Sequence, residues 1–349
     1  MESGIALRRS SGLEVTGSDE RRGAAVVTAA APAVRALERR ARGKGLFPAE
    51  GLFRAVALAC AGFVLVVMAG LFVVLLYRSH LSIHKFGWGF LWSAAWNPVR
   101  NDFGAASSIF GTILSTVIAM LIAVPLSFII ALFLVEIAHP RIARPVSYGI
   151  ELLAAVPSII YGMWGLFVLA PLMANHVQPV LQKFLGRLPL FSGPPMGIGM
   201  LTAGLVLALM VLPFITAVVR DVFALVPPVM KEAGYGLGAT TWEVTRKVTV
   251  GYGMKGIVGG VFLGLGRAIG ETMAVTFVIG NDHRIAASLF ASGNSIASTL
   301  ANEFTEASEP VYLSALVELG LILFVVTLVI QVLAQLWLNR IGRLAGNRS

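Results

Sequence analysis

Residues 256 to 280 read GIVGGVFLGLGRAIGETMAVTFVIG, an apolar stretch that carries two charges near its middle, Arg267 and Glu271. At about 1.5 Å per residue, a helix of this length crosses the hydrocarbon core of a bilayer. A charge near the middle of a bilayer costs about 2.5 to 3.5 kcal/mol on insertion scales. The stretch therefore predicts a transmembrane helix whose two charges belong to a polar path.

The two charges are spaced at i and i+4, so in a continuous helix Arg267 and Glu271 share one face. Gly260 and Gly264 precede them by one heptad, which returns to nearly the same face. The charged face is therefore expected to be the face that another helix or a pore approaches closely. Two interpretations stay open: a pathway for a polar solute, and a buried ion pair that only locks helices together.

The composition places the whole chain in a membrane. Of 349 residues, 57% are hydrophobic and 13% are charged, whereas soluble domains carry about 25% charged residues. The single cysteine, Cys60, excludes an intramolecular disulfide. The chain is predicted to be an all-α membrane protein whose six transmembrane helices lie near residues 55–77, 108–134, 147–172, 198–219, 256–280 and 312–338.

Basic residues outside the predicted spans are unevenly distributed. Twenty of the 27 Lys and Arg residues lie on the side that holds both termini, and six lie on the other side. Because positive charge marks the cytoplasmic side, both termini are expected in the cytoplasm. The predicted organisation is a disordered basic tail over 1–54, a transmembrane domain over 55–338 and a cytoplasmic tail over 339–349.

The formal net charge of +9 does not indicate nucleic-acid binding, because no aromatic residues are interleaved with the arginines of the N-terminal tail. The segment from Val34 to Lys44 could form a basic surface helix on anionic membrane lipid. A solvated tail that only fixes the topology is the alternative for this segment.

The longest internal cytoplasmic segment is predicted at residues 220–255, between spans 4 and 5. Pro227 and Pro228 suit the first turn of a helix that runs to about Gly236, and Gly238 interrupts it. Thr240 and Glu243 have the spacing of a capping box and predict the start of a second short helix. Two short helices around a glycine turn form a protruding element suited to docking.

This loop resembles the EAA loop of ABC-importer permeases, through Glu232-Ala233-Gly234 followed by Leu237-Gly238-Ala239. In that family the loop fits a groove in a separate ATPase subunit and transmits nucleotide-driven movement to the membrane helices. The resemblance implies that Glu232, Ala233, Gly234, Gly238 and Ala239 couple this chain to an ATPase. The sequence departs from the family pattern at two positions, with Gly234 in place of alanine and Gly251 in place of a downstream proline.

Longer stretches look like the C-type permease subunits of the Pst phosphate importer, a binding-protein-dependent ABC importer. They are GLGRAIGETMAVTFVIGN (264–281), ELLAAVPSIIYGMWGLFVL (151–169), NSIASTLANEF (294–304) and ALVELGLILF (315–324). The resemblance implies the type I ABC-importer permease architecture in a bacterial plasma (inner) membrane. It implies as partners an A-type permease subunit, two copies of an ATPase that bind ATP and Mg²⁺, and an external phosphate-binding protein.

By the same resemblance, Arg267 and Glu271 are the polar pair associated with the phosphate path. A guanidinium matches phosphate oxygens with planar, bidentate donors and keeps its charge. Glu271 is expected to offset that charge when no substrate is present, since a pathway needs binding weak enough for release.

No enzyme or cofactor site is expected in the chain itself. The phosphate-loop pattern G-x-x-x-x-G-K-[ST] does not occur, so ATP hydrolysis is assigned to another chain. The five histidines lack metal-ligand spacing and are predicted to be surface residues. Ser295, Ser298 and Thr299 are predicted to line a vestibule or to lie on a surface helix.

Two other functions stay open from the sequence. The same architecture could carry another oxyanion, such as sulfate or molybdate. An ion-coupled carrier or channel could use Arg267 and Glu271 as a proton relay, but it would leave the long cytoplasmic loop without a purpose.

Overall fold

The computed structural model of the chain describes residues 48–346, with side chains described over 51–340. The segment Val34 to Lys44 and most of the predicted N-terminal tail lie outside the described residues, as do the last three residues of the C-terminal tail. The chain divides into two bodies, and the division falls between Gly70 and Leu71 inside the first helix. Residues 48–70 are a continuous helix, and the packing given below is that of residues 71–340.

Most of the described residues are helical, and one small hairpin supplies the two strands. The α-helices are α1 (Pro48–Arg78), α2 (His80–Phe86), α3 (Gly89–Trp92), α4 (Ala106–Leu132), α5 (Pro140–Ala155), α6 (Ser158–Trp164), α7 (Ala170–Leu172), α8 (Gln178–Leu185), α9 (Met200–Ala224), α10 (Pro228–Gly236), α11 (Thr241–Val244), α12 (Val250–Ile269), α13 (Met273–Thr276), α14 (Ile296–Glu303) and α15 (Pro310–Gly346). Strands β1 (Trp96–Asn97) and β2 (Asp102–Phe103) pair antiparallel, with Trp96 opposite Phe103.

Irregular turns connect several of these helices. Short 3₁₀ turns occur at Pro98–Arg100 and Pro189–Phe191. π-Helical turns, which place one extra residue in a helical turn, occur at Phe133–Ile137, Gly165–Leu169, Met173–Val177 and Thr245–Thr249.

Within the described residues, six helical segments are long and apolar enough to cross a membrane. They are Gly51–Arg78, Ala106–Ile137, Ser158–Leu185, Met200–Ala224, Thr241–Ile269 and Pro310–Arg340, numbered here as spans 1 to 6. The sequence prediction of six spans is confirmed. The predicted bounds of spans 3 and 5 are wrong by more than two helical turns at one or both ends.

Span 3 begins at Ser158 rather than near residue 147. The preceding residues form a separate helix, α5, which ends at Ala155 because Pro157 follows. A proline forces the residue before it into an extended conformation, and Val156 has a ψ of 131°. The predicted range of span 3 therefore includes apolar residues that belong to α5. Glu151 lies in α5 and pairs with Arg220 of span 4 at 2.8 Å.

Span 5 begins at Thr241 and ends at Ile269, so the predicted range 256–280 is wrong at both ends. The predicted capping box is present: Thr240 accepts a hydrogen bond from the Glu243 backbone, and Glu243 bonds back to the Thr240 backbone. The helix that it starts is not short, because it continues through the π-helical turn Thr245–Thr249 into α12. Helix formation depends on capping and propensity rather than on hydropathy, so hydropathy alone misplaces the start of this helix.

Span 4 is the core of the second body. It packs against span 2 on one side and span 5 on the other. Its side chains are buried along its length, including Val206, Met210, Ile215, Val219 and Phe223. A helix that is apolar all round is one that other helices surround.

The glycine face of α12 packs directly on span 4. A Cβ atom added at Gly260 would lie 2.8 Å from Val218 Cγ1, and one added at Gly264 would lie 2.6 Å from Ile215 Cγ1. Both distances are below van der Waals contact, so only glycine permits this approach. The prediction of a close-packed glycine face is confirmed, and the neighbour on that face is span 4.

We expect Gly260→Val to destabilise the folded chain, because the new side chain must displace span 4. Overpacking of this kind costs about 1 to 3 kcal/mol. The matched control is Gly259→Val, since a Cβ atom at Gly259 meets nothing within 4 Å. Thermal unfolding of the purified protein in detergent measures the difference. Equal midpoints for the two variants would contradict the packing argument.

Candidate functional site

Arg267 lies in the last turn of α12, at the end of span 5. Its guanidinium is solvent-exposed in the described structure, and Cζ lies 5.7 Å above the centroid of the Phe214 ring of span 4. Among the described residues, no carboxylate oxygen lies within 4.0 Å of its nitrogens. The guanidinium therefore has an aromatic neighbour on one face and no anionic partner within the described chain.

Glu271 does not lie on the same helix as Arg267, and the predicted i, i+4 pairing is wrong. The helix ends at Ile269, and Gly270 adopts φ −86° and ψ 2° beyond it. Glu271 is partly buried, and its Oε1 accepts a hydrogen bond of 3.1 Å from the backbone N–H of Ala274. This carboxylate caps the short helix α13, because the first N–H groups of a helix have no partner within it.

The segment that follows α13 is fixed by a buried polar cluster. The Asn294 side-chain amide lies 2.7 Å from Ser108 Oγ, 3.1 Å from Thr299 Oγ1 and 2.9 Å from His283 Nδ1. Ser295 caps α14 through a reciprocal bond with Ser298. Buried polar groups of this kind need partners, and here they join the segment between spans 5 and 6 to span 2.

These contacts correct two sequence predictions. Ser295, Ser298 and Thr299 are buried, so they neither line a vestibule nor face solvent on a surface helix. His283 is also not a surface residue, because its side chain is 19% exposed and its ring stacks on Trp96 at 5.0 Å. Sequence alone could not show this, since Trp96 and Ser108, which help to bury these residues, come from distant parts of the chain.

Glu303 is the centre of a second set of polar contacts. Oε2 accepts hydrogen bonds from Trp96 Nε1 at 2.5 Å and from the Tyr312 hydroxyl at 2.7 Å. His283 Nε2 lies 2.9 Å from Oε1. Burial would raise the pKa of this carboxyl, but the bonds from His283, Tyr312 and Trp96 outweigh it and hold the pKa below its usual value. Glu303 therefore joins β1, the segment after α13 and span 6.

We expect Glu303→Gln to lower stability at neutral pH by roughly 1 to 3 kcal/mol, the range for losing hydrogen bonds to a charged group. Because the folded-state pKa is lowered, this stabilisation is present above about pH 4.5 and is lost as the pH falls through the folded-state pKa. Thermal midpoints at pH 7 and pH 4 measure both effects. The variant should lose less stability on acidification than the unchanged protein.

The control for this change is Glu306→Gln, which alters an exposed carboxyl three residues away. It should leave both midpoints near those of the unchanged protein. If Glu303→Gln behaves like this control, the cluster does not stabilise the fold.

The loop between spans 4 and 5 has the predicted helix and turn. Helix α10 begins at Pro228 and ends at Gly236, and Gly238 then adopts a φ of +80°, which favours glycine. The turn is closed by Gly238 N–H bonding to the Tyr235 carbonyl and Ala239 N–H bonding to the Gly234 carbonyl. Of the motif residues, Glu232, Ala233 and Gly238 are exposed, whereas Gly234 and Ala239 are half-buried.

Large apolar side chains of this loop and of the first turn of span 5 are exposed. Leu237 is 90% exposed, Leu225 74%, Val229 72% and Trp242 64%. These four exposed residues are named here the apolar knob. Exposed large apolar side chains of this kind are candidates for contact with another molecule.

Comparison with solved structures first defines the class. A bacterial ABC transporter involved in the import of the acidic polysaccharide alginate has a chain of the same fold, with a TM-score of 0.56 and 14% identity. The match covers 84% of this chain and 96% of that one. The chain is thus a multi-pass transmembrane subunit with the fold of ABC-transporter permeases. No family model matches the sequence.

Sequence relatives then define the family. The phosphate transport system permease protein PstC of Mesorhizobium japonicum is 51% identical over 324 residues, covering 92% of this chain and 99% of that protein. PstC of Pasteurella multocida is 52% identical over 303 residues, covering 86% and 94%. The chain belongs to the PstC family of phosphate transport system permease proteins. It is therefore a transporter subunit and not an enzyme, as the sequence resemblance predicted.

Proposed function

We propose that this chain forms half of the translocation pore of an ATP-driven importer of inorganic phosphate, and that Arg267 lies on the phosphate path. The proposal rests on the surroundings of the Arg267 guanidinium. This group is exposed and has no carboxylate partner within 4.0 Å among the described residues. Family membership supports phosphate as the substrate.

The chemistry of phosphate requires such a group. An unpaired anion entering hydrocarbon faces a Born penalty of order tens of kcal/mol. A guanidinium stacked on an aromatic ring keeps its in-plane N–H donors free, and those donors match two phosphate oxygens at once. Cζ of Arg267 lies 5.7 Å from the centroid of the Phe214 ring, within the range of a cation–π contact.

Glu271 lowers the affinity of this site for anions without forming a direct ion pair with Arg267. One of its carboxylate oxygens is held by the Ala274 N–H, which fixes a negative charge just beyond the end of α12. A nearby negative charge weakens anion binding, and a transport pathway needs binding that is weak enough for release. We assign to Glu271 the role of limiting how tightly phosphate is held.

The loop between spans 4 and 5 is proposed as the coupling element for a separate ATPase that binds ATP and Mg²⁺. Glu232, Ala233, Gly234, Gly238 and Ala239 form or flank its helix and turn, and the apolar knob beside them is exposed. An ATPase groove that covers these side chains would remove them from water, which favours association.

The remaining partners follow from the same proposal. An A-type permease subunit completes the pore, two ATPase copies bind the coupling loops, and an external phosphate-binding protein delivers the substrate. Both termini and the coupling loop are assigned to the cytoplasm of a bacterial inner membrane, on the distribution of basic residues.

We expect Arg267→Ala to lower phosphate uptake by about tenfold to a hundredfold. Losing a charged hydrogen-bond donor costs about 1.5 to 3 kcal/mol, and each 1.4 kcal/mol is a factor of ten. Radiolabelled phosphate uptake is measured in vesicles that contain the chain, its partner subunits and internal ATP. Arg187→Ala, which removes an exposed arginine outside the spans, is the control.

ATPase copurification should persist in the Arg267→Ala variant. Normal uptake by this variant would make the residue structural. Competition of the unchanged transporter with sulfate and molybdate tests the substrate, and stronger competition by either anion than by phosphate would overturn the phosphate assignment.

We expect Glu232→Lys to release the ATPase during copurification, because it reverses an exposed charge next to the apolar knob. Uptake should fall with it. Glu306→Lys, a charge reversal on an exposed residue between spans 5 and 6, should leave the complex intact. Full uptake in the Glu232→Lys variant would remove the coupling role from this loop.

A further inference from the structure

Glu136 lies at the end of span 2, where its carboxylate is almost completely buried. The side chain is 6% exposed. Its Oε1 accepts a hydrogen bond from Lys231 Nζ at 2.7 Å and another from Thr249 Oγ1 at 3.0 Å. We call these three residues the carboxylate tether.

The carboxylate tether joins three separate parts of the chain. Glu136 belongs to the π-helical turn Phe133–Ile137 of span 2, and Thr249 ends the π-helical turn Thr245–Thr249 of span 5. Lys231 belongs to α10, directly before the motif residue Glu232. One carboxylate oxygen therefore links the coupling helix to two membrane spans.

Helix α10 has different surroundings on its two sides. Lys231 is 19% exposed, and Gly234, one turn later, lies against Val244. Glu232 is exposed, and Leu237 beyond the helix end is 90% exposed. The exposed side of α10 is thus opposite the side that contacts the spans. If a partner moves the exposed side, the contacts on the other side, including the tether, must move with it.

The tether differs from an ordinary surface ion pair. The Glu243–Lys247 pair in the same region has its charged atoms 3.7 Å apart, with side chains 46% and 75% exposed. Such exposed pairs contribute little because water screens them. A buried pair is stronger in a low dielectric, and removing one partner leaves an uncompensated charge.

A buried ion pair is not needed for stability alone, because apolar residues of similar volume often replace one without loss. The ion pair adds a contact between specific atoms, because a charged hydrogen bond resists the separation of its donor and acceptor. Two of its three residues lie in π-helical turns, which are frequent at functional positions in helices.

We propose that the carboxylate tether of Glu136, Lys231 and Thr249 transmits movement of the coupling helix to spans 2 and 5. The three residues act as positioning residues and do not contact phosphate or ATP. The inference rests on the proposed function, in which α10 docks on a separate ATPase.

The test compares transport with ATP hydrolysis in the assembled transporter. Phosphate uptake and ATP hydrolysis are measured in the same vesicles, and the readout is phosphate transported per ATP hydrolysed. The main variant is Glu136→Leu with Lys231→Met, which removes both charges and leaves neither partner buried alone. Lys231→Arg keeps the charge, and Lys247→Met is the control for losing an exposed lysine from the same region.

We expect the doubly substituted complex to retain its ATPase and to hydrolyse ATP while the transport ratio falls at least about fivefold, the lower range of coupling between sites. Lys231→Arg should keep at least half of the ratio, and Lys247→Met should leave it unchanged. Thr249→Val, which removes only the hydroxyl, should give an intermediate ratio.

Two results would overturn the inference. One is an unchanged transport ratio in the doubly substituted complex. The other is loss of the ATPase from that complex, since the tether would then maintain the docking surface itself. Failure of the proposed function is distinguishable, because the unchanged chain would then not copurify with an ATPase at all.

Discussion

The close contact between α12 and span 4 is the constraint on which the rest of the structure depends. Gly260 and Gly264 have no side chains. The backbone of α12 therefore contacts the side chains of Val218 and Ile215 in span 4 directly. Without water to drive association, helices in a membrane are held by close packing of this type. The contact fixes the end of α12, and it is this end that places Arg267 over Phe214. At its other end, span 5 supplies Thr249 to the carboxylate of Glu136.

Much of the fold could be predicted from local features. The six spans, the glycine face and the capping box of Thr240 and Glu243 each depend on residues close together in sequence. The bounds of spans 3 and 5 could not be read from hydropathy, because it does not detect helix ends. Pro157 separates α5 from the start of span 3, and Gly270 follows the last helical residue of span 5.

The candidate site was predicted in part. Arg267 was predicted near the middle of span 5 but lies in its last turn, and Glu271 was assigned to a helix that ends before it. Glu136 was missed, because its partners Lys231 and Thr249 are about one hundred residues away. The only signal available was an acidic residue at the end of an apolar run, where charges are costly unless they are paired. Glu303 and His283 were missed because Trp96, which contacts both, is distant in the sequence.

The exposure of the apolar knob also bears on how the subunit survives before assembly. Leu237, Leu225, Val229 and Trp242 are the exposed side chains that the proposed ATPase would cover. An unassembled chain presents that surface to chaperones and proteases, which act on exposed apolar segments. Burial of the same side chains in a complex removes the signal for degradation. With the proposed docking, these four side chains would link the lifetime of the permease to the supply of its partner.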